Sequence, residues 1–135
     1  MANLEKRILQ ATVCLASLVP ILGGGAGMIF GPIAVGGTAL EAIGLESHVR
    51  YLSGLLLAIG LAFVSTVPGI EKHGRRFFLL TCLIVAGGIG RLISLLSVGL
   101  PPRPMLAALV MELIVTPALA VWQWHFARRG TAQRA

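Results

Sequence analysis

The chain has 135 residues, of which 56% are hydrophobic and only 12% charged, with a mean hydropathy of +0.89. A soluble domain carries roughly 25% charged residues, so the composition excludes an ordinary water-soluble globule, and the length fits one domain over residues 1–135. The net charge of +6 is split among short segments with no basic groove or interleaved aromatics, which excludes nucleic acid as the natural partner.

Four apolar stretches follow in order. After Lys6-Arg7 the first begins at Ile8, and no charge appears until Glu41. Residues 8–28 suffice for a helical span, with a bend expected at Pro20. Gly31-Pro32 and Gly36-Gly37 read as an irregular connection, and Ala39 to His48 as a short interfacial helix. Lys6-Arg7 before an apolar run also resembles a signal peptide, but no clean small-x-small site follows the run, so an uncleaved first helix is expected. Gly23 to Gly27 lacks the Lys-Ser/Thr ending of a phosphate loop.

The other stretches are each about 20 residues, enough to cross ~30 Å of hydrocarbon as a helix. They give spans near 51–69, 77–98 and 105–127. Nothing alternates as barrel strands would. The expected fold is therefore all-α, an integral membrane four-helix bundle.

Basic residues orient it. Lys6, Arg7, Lys72, Arg75, Arg76, Arg128, Arg129 and Arg134 fall on one side, against Arg50 and Arg103 on the other. That asymmetry predicts both termini in the cytoplasm, as an even number of spans requires. Trp122, Trp124, Phe77, Phe78 and Tyr51 sit at helix ends, where aromatics anchor at headgroup level.

Small residues mark the expected packing faces. They are Gly54, Ala58 and Ala62 in the second span, Gly87-Gly88 with Arg91 and Ser94 in the third, and Ala108, Glu112, Thr116 and Ala120 in the fourth. Pro117 lacks an N–H, so the carbonyl of Leu113 should lose its partner and the helix should kink, with the Thr116 hydroxyl a candidate compensator.

Two charges lie inside these apolar runs. Arg91 stands about nine residues before the turn Gly99 to Pro104, and Glu112 about eight after it. At ~1.5 Å per residue they share a depth of roughly 12–14 Å and should pair across adjacent antiparallel helices. Intramembrane ionisable groups are functional candidates by default, although a bridge that only sets helix register is an equally natural reading. Glu46, His48 and Arg50 cluster at the outer end of the second span. Glu46 and Arg50 are spaced to pair, while an inward Arg50 would complete a triad Arg50–Glu112–Arg91. One carboxylate between two guanidinium groups would favour an anionic guest. Glu46, His48, Tyr51, Ser94 and Thr116 are the candidate outer rim.

Other chemistry finds no support. His48, His73 and His125 fall in different segments with no ligand spacing, so no metal is expected. Cys14 and Cys82 read as small apolar fillers. No nucleophile–His–acid set appears, and no cofactor is expected. A small multidrug-type exporter would need a carboxylate in the first helix, which is missing.

The ordered set His48-Val49-Arg50-Tyr51-Leu52-Ser53-Gly54, Gly87-Gly88-Ile89-Gly90-Arg91-Leu92, Gly99-Leu100-Pro101 and Glu112 resembles the DUF4345 family over about residues 46–127. The resemblance implies a small bacterial four-helix membrane protein without an assigned activity, and Arg50, Arg91 and Glu112 in one constellation; the expected location is the inner membrane. DoxX-like and EXPERA proteins are similar at the level of architecture alone, which transfers no site. The expected function is binding of a lipid-like or amphipathic anionic small molecule in an outward-facing pocket, with membrane lipids as the surrounding partners. The alternatives are a structural or accessory subunit, in a homo-oligomer or larger membrane complex, or a membrane enzyme or small transporter using Glu112. Arginines nearby would keep Glu112 ionised, which weakens a general-acid role.

Overall fold

The computed structural model describes residues 2–35 and 43–132. Helix α1 (Ala2–Phe30) runs into a 3-10 turn (Gly31–Val35), and α2 (Ile43–Val64) leads through a second 3-10 turn (Ile70–Lys72) to α3 (Gly74–Val98). The fourth rod is α4 (Arg103–Val110), a π segment (Met111–Val115) and α5 (Thr116–Ala132) in direct succession. Among the described residues there is no strand, and four helical runs are long and apolar enough to cross a membrane. That is the mark of a multi-pass membrane protein: in hydrocarbon a backbone must satisfy its own hydrogen bonds, and a helix does so within one segment.

The elements stop where the backbone demands it. Gly31 (φ 63°) ends α1 in the left-handed region, and Gly99 (φ 116°) ends α3, as helix C-termini commonly do. Thr66 donates its hydroxyl to the Phe63 carbonyl, closing the end of α2 before Pro68-Gly69. Pro104 lies in the first turn of α4, where a missing N–H costs nothing.

Several expectations are corrected. The first, third and fourth runs extend beyond the predicted spans, and the second is shifted, starting at Ile43 and ending at Val64 rather than near 69. Gly36-Gly37 and the first part of the expected interfacial helix, residues 39–42, lie outside the described residues. From Ile43 the chain is already α2, continuous through His48 into the span. Gly31-Pro32 belongs to the 3-10 turn rather than to irregular chain. Helix α1 also runs unbroken through Pro20 and through Gly23 to Gly27. Gly60 of α2 faces Pro20: a Cβ there would lie 3.2 Å from the Pro20 Cγ and 2.8 Å from the Ile21 Cγ1.

The rods form two hairpins. In α1–α2 the close approach is made by Gly24, Gly27 and Gly60. A Cβ on Gly24 would lie 2.5 Å from the Leu57 nitrogen and 2.7 Å from the Ser53 carbonyl oxygen. Ala58, expected on the α2 packing face, is exposed, because the α1 contact runs instead along Ser53, Leu57 and Gly60. Between α3 and the fourth rod the close approach is at Gly88, against the π segment. The hairpins meet in a core of Leu9, Val13, Phe63, Ile70, Phe77, Leu80, Ile84 and Leu119. There Phe63 and Phe77 stack edge to face at 5.1 Å, the favoured aromatic geometry.

Polar ties hold this end. The buried Gln123 amide donates to the Ile70 carbonyl at 2.8 Å, and Gln10 donates to the Val67 carbonyl at 2.7 Å. Trp122, expected as a free anchor, is half-buried and donates to Glu5 at 3.4 Å. Trp124 stays exposed, with the Arg128 guanidinium 4.0 Å from its ring centroid.

Lys6 donates to Glu71 at 2.9 Å. Enclosure pushes the Glu71 carboxyl upward, but the Lys6 hydrogen bond, its own backbone N–H and the charges of Lys6 and Lys72 outweigh that and hold it below its ordinary value of 4.5. A depressed carboxyl contributes stability that is complete above its ordinary value and lost as pH falls through the folded one. Resistance to thermal unfolding in detergent should therefore weaken below about pH 4.5, and Glu71→Gln should remove part of that slope. Both partners are about a third exposed, so the effect stays below about 1 kcal/mol. An unchanged pH profile in Glu71→Gln would refute the assignment.

Candidate functional site

Arg91 lies seven positions before the end of α3 at Val98, and Glu112 nine after the start of α4 at Arg103. The short connection between them makes the helices antiparallel and brings the two side chains level. They meet as a fork: Arg91 Nε donates to Glu112 Oε2 at 3.1 Å, and Nη2 to Oε1 at 3.2 Å. Bidentate pairing uses the planar geometry of both groups. Glu112 is buried at 9% exposure, and the Arg91 side chain keeps 33%. Among the described residues nothing accepts a bond from Nη1 of Arg91.

Two backbone features seat Glu112. A Cβ on Gly88 would lie 2.9 Å from the Glu112 Cβ and 2.7 Å from the Leu113 Cδ2. Only glycine lets α3 approach the π segment so closely, one turn from Arg91. The π segment is the answer to Pro117. Instead of a simple kink, the helix widens by one residue, and the Thr116 N–H bonds to the Met111 carbonyl. The Thr116 hydroxyl donates to the same carbonyl at 2.8 Å, not to Leu113 as its sequence position suggested. Single π turns often occur at functional sites.

Both charged side chains face a cavity of about 710 Å³ between the two hairpins. Its floor is the core, with Val13, Phe63, Phe77 and Leu119, and it extends toward Ala34, Val49 and Pro104 at the opposite end. Its wall is mainly aliphatic. Polar side chains on it are Arg91, Glu112, Thr116, Ser17 and Ser53, and Ser17 donates its hydroxyl to the Val13 carbonyl at 2.7 Å.

Arg50 is elsewhere. Its Nε bonds Glu46 at 2.5 Å, and its Nη1 bonds the Met28 and Ile29 carbonyls at 2.5 and 2.9 Å. These are orphan acceptors at the end of α1, where a cation also complements the helix dipole. The structure therefore brings Arg91 and Glu112 together and places Arg50 with Glu46 on the α1 terminus, outside the cavity lining. Of the outer rim, only Thr116 reaches the cavity. Ser94 is exposed, and the His48 ring lies tilted 6.4 Å from that of Tyr51, itself 63% exposed.

Among the described residues no group of three His, Cys, Asp or Glu is placed to hold a metal ion. Cys14 and Cys82 are both free thiols, Cys82 exposed. Sequence reasoning missed Ser17 and Ser53 on the cavity wall, and the role of Gly24 and Gly27. The signal for the glycines was their i, i+3 spacing, masked by a run in which nearly every position is small.

Compared with known proteins, residues 8–123 match the model of a family described as Domain of unknown function (DUF4345). No curated protein and no solved structure matches.

Proposed function

The chain belongs to the DUF4345 family, whose description assigns no activity, and we propose from the site itself that it binds a lipid-like or amphipathic small molecule. In this reading the four runs cross the inner membrane with both termini cytoplasmic, and the cavity opens toward the outer side. The observation that carries it is a charged fork on the wall of an otherwise apolar cavity of about 710 Å³, within the size of small-molecule sites, roughly 300–1,000 Å³. Glu112 holds Arg91 in place, and the free edge of the guanidinium meets the polar group of the guest. The position of Arg50 removes it from this role. The surplus positive charge that favoured an anionic guest is taken up by Glu46 and the α1 carbonyls.

A second reading has its own observation. Gly88 packed against Glu112, with a bidentate bridge beside it, is also what a purely structural lock between α3 and the fourth rod looks like.

Native mass spectrometry of the purified protein distinguishes them. The binding reading expects a co-purifying small molecule, lost in Arg91→Leu and retained in Arg50→Met. Protein without any guest, or a guest unaffected by Arg91→Leu in a folded variant, would favour the lock.

A further inference from the structure

The fork's position and its charge say more about the guest. Glu112 lies eight residues from Pro104 and seven from Leu119, the two ends of the cavity wall on the fourth rod. At ~1.5 Å per residue that is roughly 12 Å of wall on one side and about 10 Å on the other. The polar group therefore stands midway along the cavity. The deep half ends on Val13, Phe63, Phe77 and Leu119, and the other half passes Leu52 and Met105. A cavity of about 710 Å³ spread over about 22 Å has a mean cross-section near 30 Å², the width of one chain rather than two.

The charge is balanced before any guest arrives. Both Glu112 oxygens accept from Arg91, and neither Arg50 nor Arg103 lines the cavity. An ionised headgroup would put a second negative charge beside a buried carboxylate, with no cation left to meet it. A neutral carbonyl meets no such penalty and takes the N–H that Arg91 leaves free.

We propose that the guest is a slender, uncharged amphiphile with a carbonyl in mid-chain, an ester or amide with an apolar arm on each side. This inference rests on the reading of the cavity as a binding site. Arg91 Nη1 donates to the carbonyl, and one arm fills the deep half beside Ala16 and Ile84. The other runs past Leu52 toward the mouth. Each arm is on the order of eight carbons at standard bond lengths.

The test is competition between four probes of equal length on the purified full chain, read by native mass spectrometry. They are a mid-chain ester, a methyl ester with its carbonyl at the end, a plain alkane, and an ionised fatty acid. The mid-chain ester should exceed each of the others in occupancy by about tenfold, the value of one hydrogen bond to a charged donor. Arg91→Leu should bring it level with the alkane. If that variant does not fold, Ala16→Leu, which narrows the deep half and leaves the fork intact, should bring it level with the methyl ester. A fatty acid, terminal ester or alkane that binds as well as the mid-chain ester overturns this guest class and leaves the binding reading standing. A protein that takes none of the four, and carries no guest as purified, overturns both.

Discussion

Glu112→Leu should destabilise the protein in detergent by about 2–3 kcal/mol, the cost of leaving the Arg91 guanidinium without its counter-charge. That lies at or below the low end of the roughly 3–5 kcal/mol range for a broken buried pair, because Arg91 keeps a third of its side-chain surface accessible. The double variant Arg91→Leu with Glu112→Leu should return to within about 1 kcal/mol of the parent, since two leucines of suitable volume replace a desolvated pair. Unfolding titrations of the four species form a complete cycle. Additive single effects would mean that the fork contributes no coupling, and both the lock and the positioning role of Glu112 would then fail. Stability alone does not separate those two roles, which is why the co-purifying guest is the second readout. A double variant that is stable and empty is the expected signature of a binding site.

Gly24→Val should be the most damaging glycine substitution, at about 3 kcal/mol. The new Cβ meets backbone on α2, the Leu57 nitrogen at 2.5 Å and the Ser53 carbonyl oxygen at 2.7 Å, and backbone cannot rotate away. At Gly27 the obstacles are the Ser53 Oγ, which can turn away, and the Ser53 Cβ at 2.8 Å, which cannot, so Gly27→Ala should cost something but less than a clash with two backbone atoms. Gly25 has open space around its missing Cβ. Gly25→Ala should be neutral or stabilise slightly, because alanine is the better helix former. Equal effects of valine at Gly24 and Gly25 on resistance to unfolding would show that the α1–α2 contact is not where the structure puts it.

The Arg91–Glu112 fork was legible in the sequence because the connection between its helices is only Gly99 to Pro102. A short turn between antiparallel rods fixes which residues are level, and charge then selects the pair. Arg50 was not legible in the same way. It begins near the mouth of the bundle, and its side chain can reach either the cavity or the end of α1. The choice depends on α1 stopping at Phe30, with its carbonyls presented beside α2. Pro117 and Thr116 signalled a local irregularity but not its form. A kink and a π turn both relieve the proline, and the packing of Gly88 on Glu112 and Leu113 goes with the π turn.

The α2 packing face shows the same limit. Gly54, Ala58 and Ala62 are small and suitably spaced, yet Ala58 is exposed and Gly60 makes the close contact. Spacing identifies faces that can pack. It does not say which one does when the chain between two helices is long enough to allow several rotations.

By itself the sequence determined four helical runs with the apolar length of membrane spans, and the level at which two charges meet. Those properties are local: hydropathy acts residue by residue, and a tight turn ties neighbours together. Only the tertiary structure decided the cavity, the seat of Arg50 and the glycines that bring α1 against α2. They depend on how each helix is rotated about its axis and how closely it approaches helices distant in the chain. In a bundle where nearly every side chain is apolar, shape complementarity sets those rotations, and hydropathy cannot.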